Sequence, residues 1–408
     1  MDNHAKAAMG SLPGQRSLAE RRPFLTAFAL SLGAAISLGL TRFSYALLLP
    51  PMRADLGWSY FLSGAMNTGN ALGYFIGALM TPALMRRFGA HAALVGGAVL
   101  AGLFMMLSGF VTDADLLIGQ RVLAGIASAF IFISGGLLAA RLGLLHTERS
   151  GLLLGIYYGG TGLGIAASAL LVPLALDAAD AHAAAHGWQW AWIGLGTLCL
   201  LATLAMALPA RQVDGAASSA NGQGGFKARA FAFGLLGYLM FGVGYIGYMT
   251  FVIALLREQG MGAATITLFY AMLGLAVMAS SRIWARMLDR FKGGQSLAIL
   301  NALLGVATIL PALTAAPALM FVSGLLFGGI FLSVVASTTA LVRHNLPQAQ
   351  WAAGISAFTV LFALGQIVGP TVVGWVADGP GGLTRGLVYS AAALWLGAAL
   401  AWRQKPLA

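Results

Sequence analysis

Charge is what this sequence has least of. Only 9% of its 408 residues are Asp, Glu, Lys or Arg, against roughly a quarter in a soluble domain. A soluble chain of this length would need far more charge to cover its surface, so lipid is the solvent for most of it. Cysteine is nearly absent as well. The lone Cys199 excludes an intrachain disulfide and a cysteine-based metal site. No Gly-x-x-x-x-Gly-Lys-Ser/Thr loop occurs, so the chain carries no ATP engine of that kind. Acids are missing where they would matter most. All twelve (Asp2, Glu20, Asp55, Asp113, Asp115, Glu148, Asp177, Asp180, Asp214, Glu258, Asp289 and Asp378) fall in tails, loops or the ends of apolar runs. The six histidines (His4, His91, His146, His182, His186 and His344) do the same. No residue at membrane depth is therefore suited to picking up and releasing a proton. Nor is there a nucleophile–base pair or metal cluster at depth for an embedded enzyme.

What is present is apolar: 59% of the residues are hydrophobic. Twelve runs are long enough to cross about 30 Å of hydrocarbon as helix. They lie at 24–50, 57–82, 90–111, 115–140, 151–176, 188–208, 230–256, 263–287, 295–315, 317–341, 350–377 and 384–403. The fold class is an all-α integral membrane protein. Residues 1–23 read as a polar tail, and the run after them is too long for a signal-peptide core. The segments 24–208 and 230–403 read as two six-helix bundles, 209–229 as a Gly/Ala/Ser-rich flexible linker and 404–408 as a second tail. The net charge of +11 suggests nucleic acid until the basic residues are placed. They cluster at alternate run ends: Arg16, Arg21 and Arg22, then Arg86 and Arg87, Arg141 and Arg149, Arg211 and Lys227, Arg282, Arg286 and Arg290, and Arg403 and Lys405. That is the positive-inside pattern, and it places both termini in the cytoplasm. A monomer in the lipid bilayer is expected, with no nucleic-acid partner, cofactor or metal.

The two halves resemble each other. Sliding the sequence by about half its length lays Gly39, Tyr45, Asp55 and Gly57 on Gly242, Tyr248, Glu258 and Gly260. The same offset lays Arg87-Phe88 on Arg290-Phe291, Gly125 on Gly328, and Gly151 and Gly162 on Gly354 and Gly365. Two parallel six-helix halves joined by a linker is the layout of a transporter that rocks about a central site.

Two cations lie within the runs, Arg42 in GLTRFSYALLLP and Arg121 in LLIGQRVLAG. A charge near the bilayer centre costs about 3 kcal/mol on insertion scales, so it normally faces a cavity or a partner. Neither has an acidic partner at depth, and a guanidinium binds a carboxylate or phosphate through two bonds. Arg42 reads as an anion-binding residue. Arg121 reads equally as a second such cation or as a structural arginine bonded to carbonyls of the first run. Polar side chains at helical spacing supply further candidates: Ser63, Asn67, Asn70 and Tyr74 in the second run, and Tyr157, Tyr158 and Thr161 in the fifth. Tyr238, Tyr245 and Tyr248 lie in the seventh and Gln366 in the eleventh. The repeat equivalent of Arg42 is Tyr245, so the charge belongs to one half only.

These residues also bring a family into view. Over nearly its whole length the chain resembles the major facilitator superfamily, whose loop after the second span reads Gly-x-x-x-Asp-Arg-x-Gly-Arg. Here ALMRRFGAH keeps Arg87 and Gly89 but has Arg86 at the aspartate position. The second copy, LDRFKGG, keeps Asp289-Arg290. Arg121 and Gly125 are similar to the superfamily's Arg-x-x-x-Gly pattern, and Gly160 and Gly162 to part of its glycine-rich motif. Gly369-Pro370 in the eleventh span can break a helix, as in gate-forming helices. In detail GLTRFSYALLLPPM, GIYYGGTGLGI and FGVGYIGYMTF look most like the YbfB/YjiJ-type bacterial members. The resemblance implies twelve helices in two bundles, transport by alternating access, and a path lined by the first, fourth, seventh and tenth spans with help from the second, fifth, eighth and eleventh. Arg42, Tyr45, Asn67, Asn70, Arg121, Tyr157, Tyr245, Tyr248 and Gln366 are the expected substrate-binding set. Arg87, Gly89, Gly125, Gly160, Gly162, Asp289, Arg290, Gly369 and Pro370 are the expected gating and motif positions. The expected cargo is a small organic anion. An exporter of apolar cargo and a non-transporting membrane sensor or scaffold are the alternatives.

Overall fold

In lipid, backbone amides and carbonyls must be satisfied within the chain, so long apolar runs cross as helices. The computed structural model describes residues 18–214, 227–347 and 350–407, and among these there is helix and no strand. The first half contains α1 (Pro23–Leu56), α2 (Tyr60–Phe88), α3 (Ala90–Ser108), α4 (Ala114–Leu145), α5 (Ser150–Ala181) and α6 (Gly187–Asp214). The second contains α7 (Ala232–Glu258), α8 (Ala263–Ile283), α9 (Gln295–Leu313), α10 (Pro317–Asn345), α11 (Trp351–Ala377) and α12 (Gly382–Trp402). Eleven are long and apolar enough to cross a membrane by length and composition. The remaining one, α2, is 29 residues long and is made less apolar by Ser63, Asn67, Thr68 and Asn70. Several helices outrun the hydrophobic runs that predict them. α6 continues past 208 into the expected linker, of which 215–226 lies outside the described residues, as does the tail 1–17.

Within the first half α2 and α3 pack on α4, and α1 on α5; within the second α7 and α9 pack on α12, and α8 on α10. The halves meet through α5 with α8, α2 with α11, and the last part of α1 with α7. The sequence repeat has structural counterparts. Gly57 and Gly260 end α1 and α7 with φ of 66° and 81°, a left-handed conformation that glycine adopts without steric cost. A Cβ on Gly125 would stand 2.1 Å from the Asn70 carbonyl oxygen, and one on its equivalent Gly328 would stand 2.4 Å from that of Leu273. Both copies thus use a glycine to bring neighbouring helices into backbone contact. The break expected at Gly369-Pro370 is not there. α11 runs unbroken through Pro370, and small residues instead let helices close up, since a Cβ on Gly64 would meet the Pro370 oxygen at 2.3 Å.

One end of the bundle is rich in arginine and carries the connections after α2, α4 and α8; we term it the basic end. At the opposite, far end the two halves are bonded together. Asp378 at the end of α11 accepts hydrogen bonds from the Tyr60 and Phe61 amides at 2.7 and 2.8 Å, capping the first turn of α2. The Tyr60 hydroxyl donates to Glu258 at the end of α7, and Arg53 lies 3.8 Å over the Tyr60 ring. Deeper in, Thr68 donates to the Ile367 carbonyl at 2.8 Å. Asp55, the repeat equivalent of Glu258, instead stays within its own half and accepts from the Trp188 indole at 2.6 Å. At the basic end Arg86, Arg87, Asp289 and Arg290 are exposed.

Candidate functional site

The sequence around Arg42 folds in an uncommon way. Residues Ala35–Phe43 wind as a π-helix in the middle of α1, with the Ser44 amide bonding the Gly39 carbonyl five residues back. Such stretches are rare and concentrate at functional sites. Widening the turn loosens the carbonyl ladder, and side chains take up what it frees. Thr41 donates through its hydroxyl to the Ile36 carbonyl at 2.7 Å, and Tyr270 of α8 donates to the Phe43 carbonyl at 2.7 Å. The Thr41 carbonyl receives Nη1 of Arg121 at 2.6 Å.

That last bond separates the two arginines. Arg121 also donates through Nη2 to Asn67 Oδ1 at 3.0 Å, and its guanidinium lies 5.2 Å from the Tyr45 ring centre and 5.5 Å from that of Trp192. It is 3% exposed and well occupied. Arg42 is 2% exposed, yet its Nε and Nη2 have no hydrogen-bond partner. The next residue, Phe43, meets Phe331 of α10 edge-on at 5.7 Å, and its carbonyl accepts from Tyr270 of α8, so the turn sits against the second half. A buried guanidinium with unused donors can take up an acceptor.

The other expected substrate-binding residues divide by whether the protein already uses them. The Tyr45 hydroxyl donates to the Ser63 carbonyl at 2.9 Å, Tyr157 to that of Phe132 at 2.7 Å, and Tyr248 shares a 2.8 Å bond with Ser323. Asn67 bridges the halves, donating to Thr250 at 2.8 Å while it accepts from Arg121. Asn70 donates to the Arg121 carbonyl at 3.2 Å but leaves its Oδ1 unpaired, and Gln366, buried on α11, leaves its Oε1 unpaired. Tyr245 is the one whose ring matters most. It stacks on Phe241, Phe331 and Phe362 at 4.8, 5.1 and 5.5 Å with interplanar angles near 20°. Tyr238 stacks on Phe362 at 5.0 Å, which extends the wall.

Among the motif positions, the glycines do the packing. A Cβ on Gly160 would meet the Ser31 oxygen at 1.9 Å, and one on Gly162 the Gly274 oxygen at 2.2 Å, which binds α5 to α1 and α8. Gly89 ends α2 with φ of 85°. Arg87 and Arg290 each lie over the phenylalanine that follows, at 5.2 and 5.8 Å. Among the described residues no group of acids, histidines and cysteines could hold a metal ion.

Several residues of the site carry no charge or motif that would mark them. Phe241, Phe331 and Phe362 look like ordinary lipid-facing or core phenylalanines until α7, α10 and α11 converge. Tyr74 is visible in the α2 stripe, but what surrounds it depends on the packing of α2 against α4 and α11. Asp378 is a loop acid in sequence, and its partners at Tyr60 and Phe61 lie more than three hundred residues away.

Two helical bundles closed at one end around a buried, two-sided polar site define a membrane transporter of the major facilitator type. The chain belongs to the family described as uncharacterised MFS-type transporter YbfB, whose model matches residues 34–402. No curated protein matches it. Among solved structures it is similar to a bacterial homologue of the human lysosomal transporter Spinster, in an inward-facing and unoccupied conformation. That likeness has 15% identity, covers 93% of this chain and 97% of that one, and has a TM-score of 0.69. The nucleoside transporter NupG is 14% identical over 96% of this chain and all of its own, with a TM-score of 0.69. The E. coli fucose:proton symporter FucP is 15% identical over 94% of this chain and 98% of its own, with a TM-score of 0.61. At these identities the likeness is one of fold. The twelve-helix, all-α architecture expected from the sequence is that of the family.

Proposed function

We propose that this chain is a secondary carrier that moves a small organic anion of the carboxylate type across the bacterial inner membrane by alternating access. The observation that carries the reading is Arg42, a buried guanidinium with unpartnered donors on a turn that packs against the second half. A carboxylate satisfies it through charge-assisted bonds, and binding between the halves couples occupancy to their motion. Arg121 serves as a positioning residue, because its bond to the Thr41 carbonyl holds the turn that presents Arg42. Asn70 and Gln366, each buried with an unpaired oxygen, are further candidates. The positive-inside bias supports a cytoplasmic basic end, with the bonded far end toward the outside.

With no acid or histidine at depth, movement is exchange, facilitated diffusion, or co-transport of a proton carried by the cargo itself. Proteoliposome counterflow tests the reading. Labelled organic carboxylates exchange against unlabelled ones, whereas their uncharged amides do not; if no carboxylate exchanges, the anion reading is wrong. The aromatic wall suits one competing reading, an exporter of apolar cargo. Efflux of such cargo that persists in Arg42→Ala would identify it.

The far-end seam predicts a second behaviour. Asp378→Asn replaces a carboxylate that accepts two helix-terminal amides, an interaction of about 1.5 kcal/mol or more. The equilibrium shifts roughly tenfold toward the state open at the far end. An Ala254→Cys reporter, buried on α7, becomes several-fold more reactive to an impermeant maleimide in Asp378→Asn. The buried Cys199 adds little background. Unchanged labelling would show that Asp378 is not a latch.

A further inference from the structure

We propose that the cargo is a planar aromatic monocarboxylate, its carboxylate on Arg42 and its ring laid against the stack formed by Tyr245, Phe241, Phe331 and Phe362. This rests on the anion reading above and adds to it the shape and charge of the molecule.

The charge number follows from the cations. Of the two arginines at depth, Arg121 spends both terminal nitrogens on the Thr41 carbonyl and Asn67 and leaves only Nε unpaired, whereas Arg42 leaves Nε and Nη2 unpaired. The unpaired side-chain atoms of Asn70 and Gln366 are both acceptors, Oδ1 and Oε1. Neither amide carries a charge to pair with a second carboxylate. A dicarboxylate would bury its other charge without a cation. A monoanion fits.

The shape follows from the rings. Aromatic pairs in protein interiors are commonly edge-to-face or offset, and elsewhere in this chain they are: Tyr60 meets Phe251 at 79° and Phe231 meets Phe358 at 86°. Around Tyr245 the second of these arrangements, offset and near parallel, prevails. Phe241 and Phe362 lie 5.3 Å apart at 9°, Tyr238 and Phe241 5.5 Å apart at 17°, and Tyr245 lies within about 20° of three neighbours. These rings come from α7, α10 and α11, so three separate helices present parallel planes. Phe331 belongs both to this column and to the contact with Phe43, the residue after Arg42, whose ring it meets at 5.7 Å. A ligand whose carboxylate is conjugated to a flat ring can meet Arg42 and the column at once, because its charged group and its π face lie in one rigid plane. A saturated ring or flexible chain reaches Arg42 equally well but lacks the flat face that the column is ordered to receive.

The test compares benzoate, cyclohexanecarboxylate and hexanoate, which share one charge and similar size, by the melting temperature of the purified full-length protein. Benzoate is expected to raise it at a concentration at least tenfold lower than the other two. Phe362→Leu, at a half-buried ring, erases that preference while all three acids still bind. Equal potency of the three acids, or a preference for cyclohexanecarboxylate, overturns the aromatic assignment and leaves the anion reading standing. Stabilisation by none of the three, repeated in counterflow, overturns both. A preference for benzoate that survives both Phe362→Leu and Phe241→Leu also overturns the assignment to this column.

Discussion

Arg42→Gln abolishes carboxylate transport and, in the empty protein, raises the melting temperature. The two effects have one cause. Arg42 is buried and its Nε and Nη2 are unpartnered, so the empty protein carries the desolvation of a cation that nothing offsets. Glutamine removes that charge and keeps a hydrogen-bonding group in its place. A gain of about 1 kcal/mol, a shift of about 1 °C, is expected. Binding moves the other way. A charge-assisted pair with a buried carboxylate contributes about 3 kcal/mol, so its loss lowers affinity roughly 100-fold. Circular dichroism or dye-based melting and counterflow on the same preparations read both. A purely structural arginine would give the opposite pair of results, with lower stability and lower transport together.

Arg121→Met provides that opposite case. The substitution keeps most of the side-chain volume but leaves the Thr41 carbonyl and Asn67 Oδ1 without their donor, 2.6 and 3.0 Å away at present. Both acceptors are deep in the bundle, where no water competes for them. Removing one member of such a buried charged set is worth about 3–5 kcal/mol, with a further contribution from the lost contacts to the Tyr45 and Trp192 rings. The melting temperature falls by about 5 °C on that scale, and the yield of folded protein falls with it. Arg121→Lys recovers part of the stability, since an ammonium supplies the charge but not the fork that reaches both acceptors. Melting curves of the three proteins in one detergent decide the matter; an Arg121→Met protein as stable as the parent would remove Arg121 from the positioning role.

The contrast between the two arginines shows where the sequence stops being informative. Both lie in apolar runs without an acid nearby, and nothing local distinguishes them. The difference is whether a free carbonyl stands within reach, and that depends on the π-helical turn Ala35–Phe43. The turn itself has no compositional mark: GLTRF would wind as ordinary α-helix if Arg121, Tyr270 and Thr41 did not satisfy the loosened carbonyls. Periodicity and length, by contrast, were enough for the spans, because hydrocarbon permits little besides helix. They were less useful for the helix ends. Hydrophobicity stops at the interface, while α2 continues to Phe88 and α6 to Asp214 through residues that meet water. The Gly369-Pro370 pair was misleading for a related reason, since proline in a packed helix is tolerated when neighbouring groups take over the missing bond. The half-length repeat was legible because glycine cannot be replaced where backbones touch, as at Gly125 and Gly328. The far-end latch and the aromatic column were not, because each depends on residues brought together from distant parts of the chain.

The most direct measurement is a melting-temperature titration of the purified protein with one organic carboxylate and with its uncharged primary amide, which has the same shape. The carboxylate raises the melting temperature saturably in the parent protein and has little effect on Arg42→Gln, and the amide has little effect on either. Equal stabilisation by acid and amide, or a carboxylate response that survives in Arg42→Gln, would contradict the role given to Arg42.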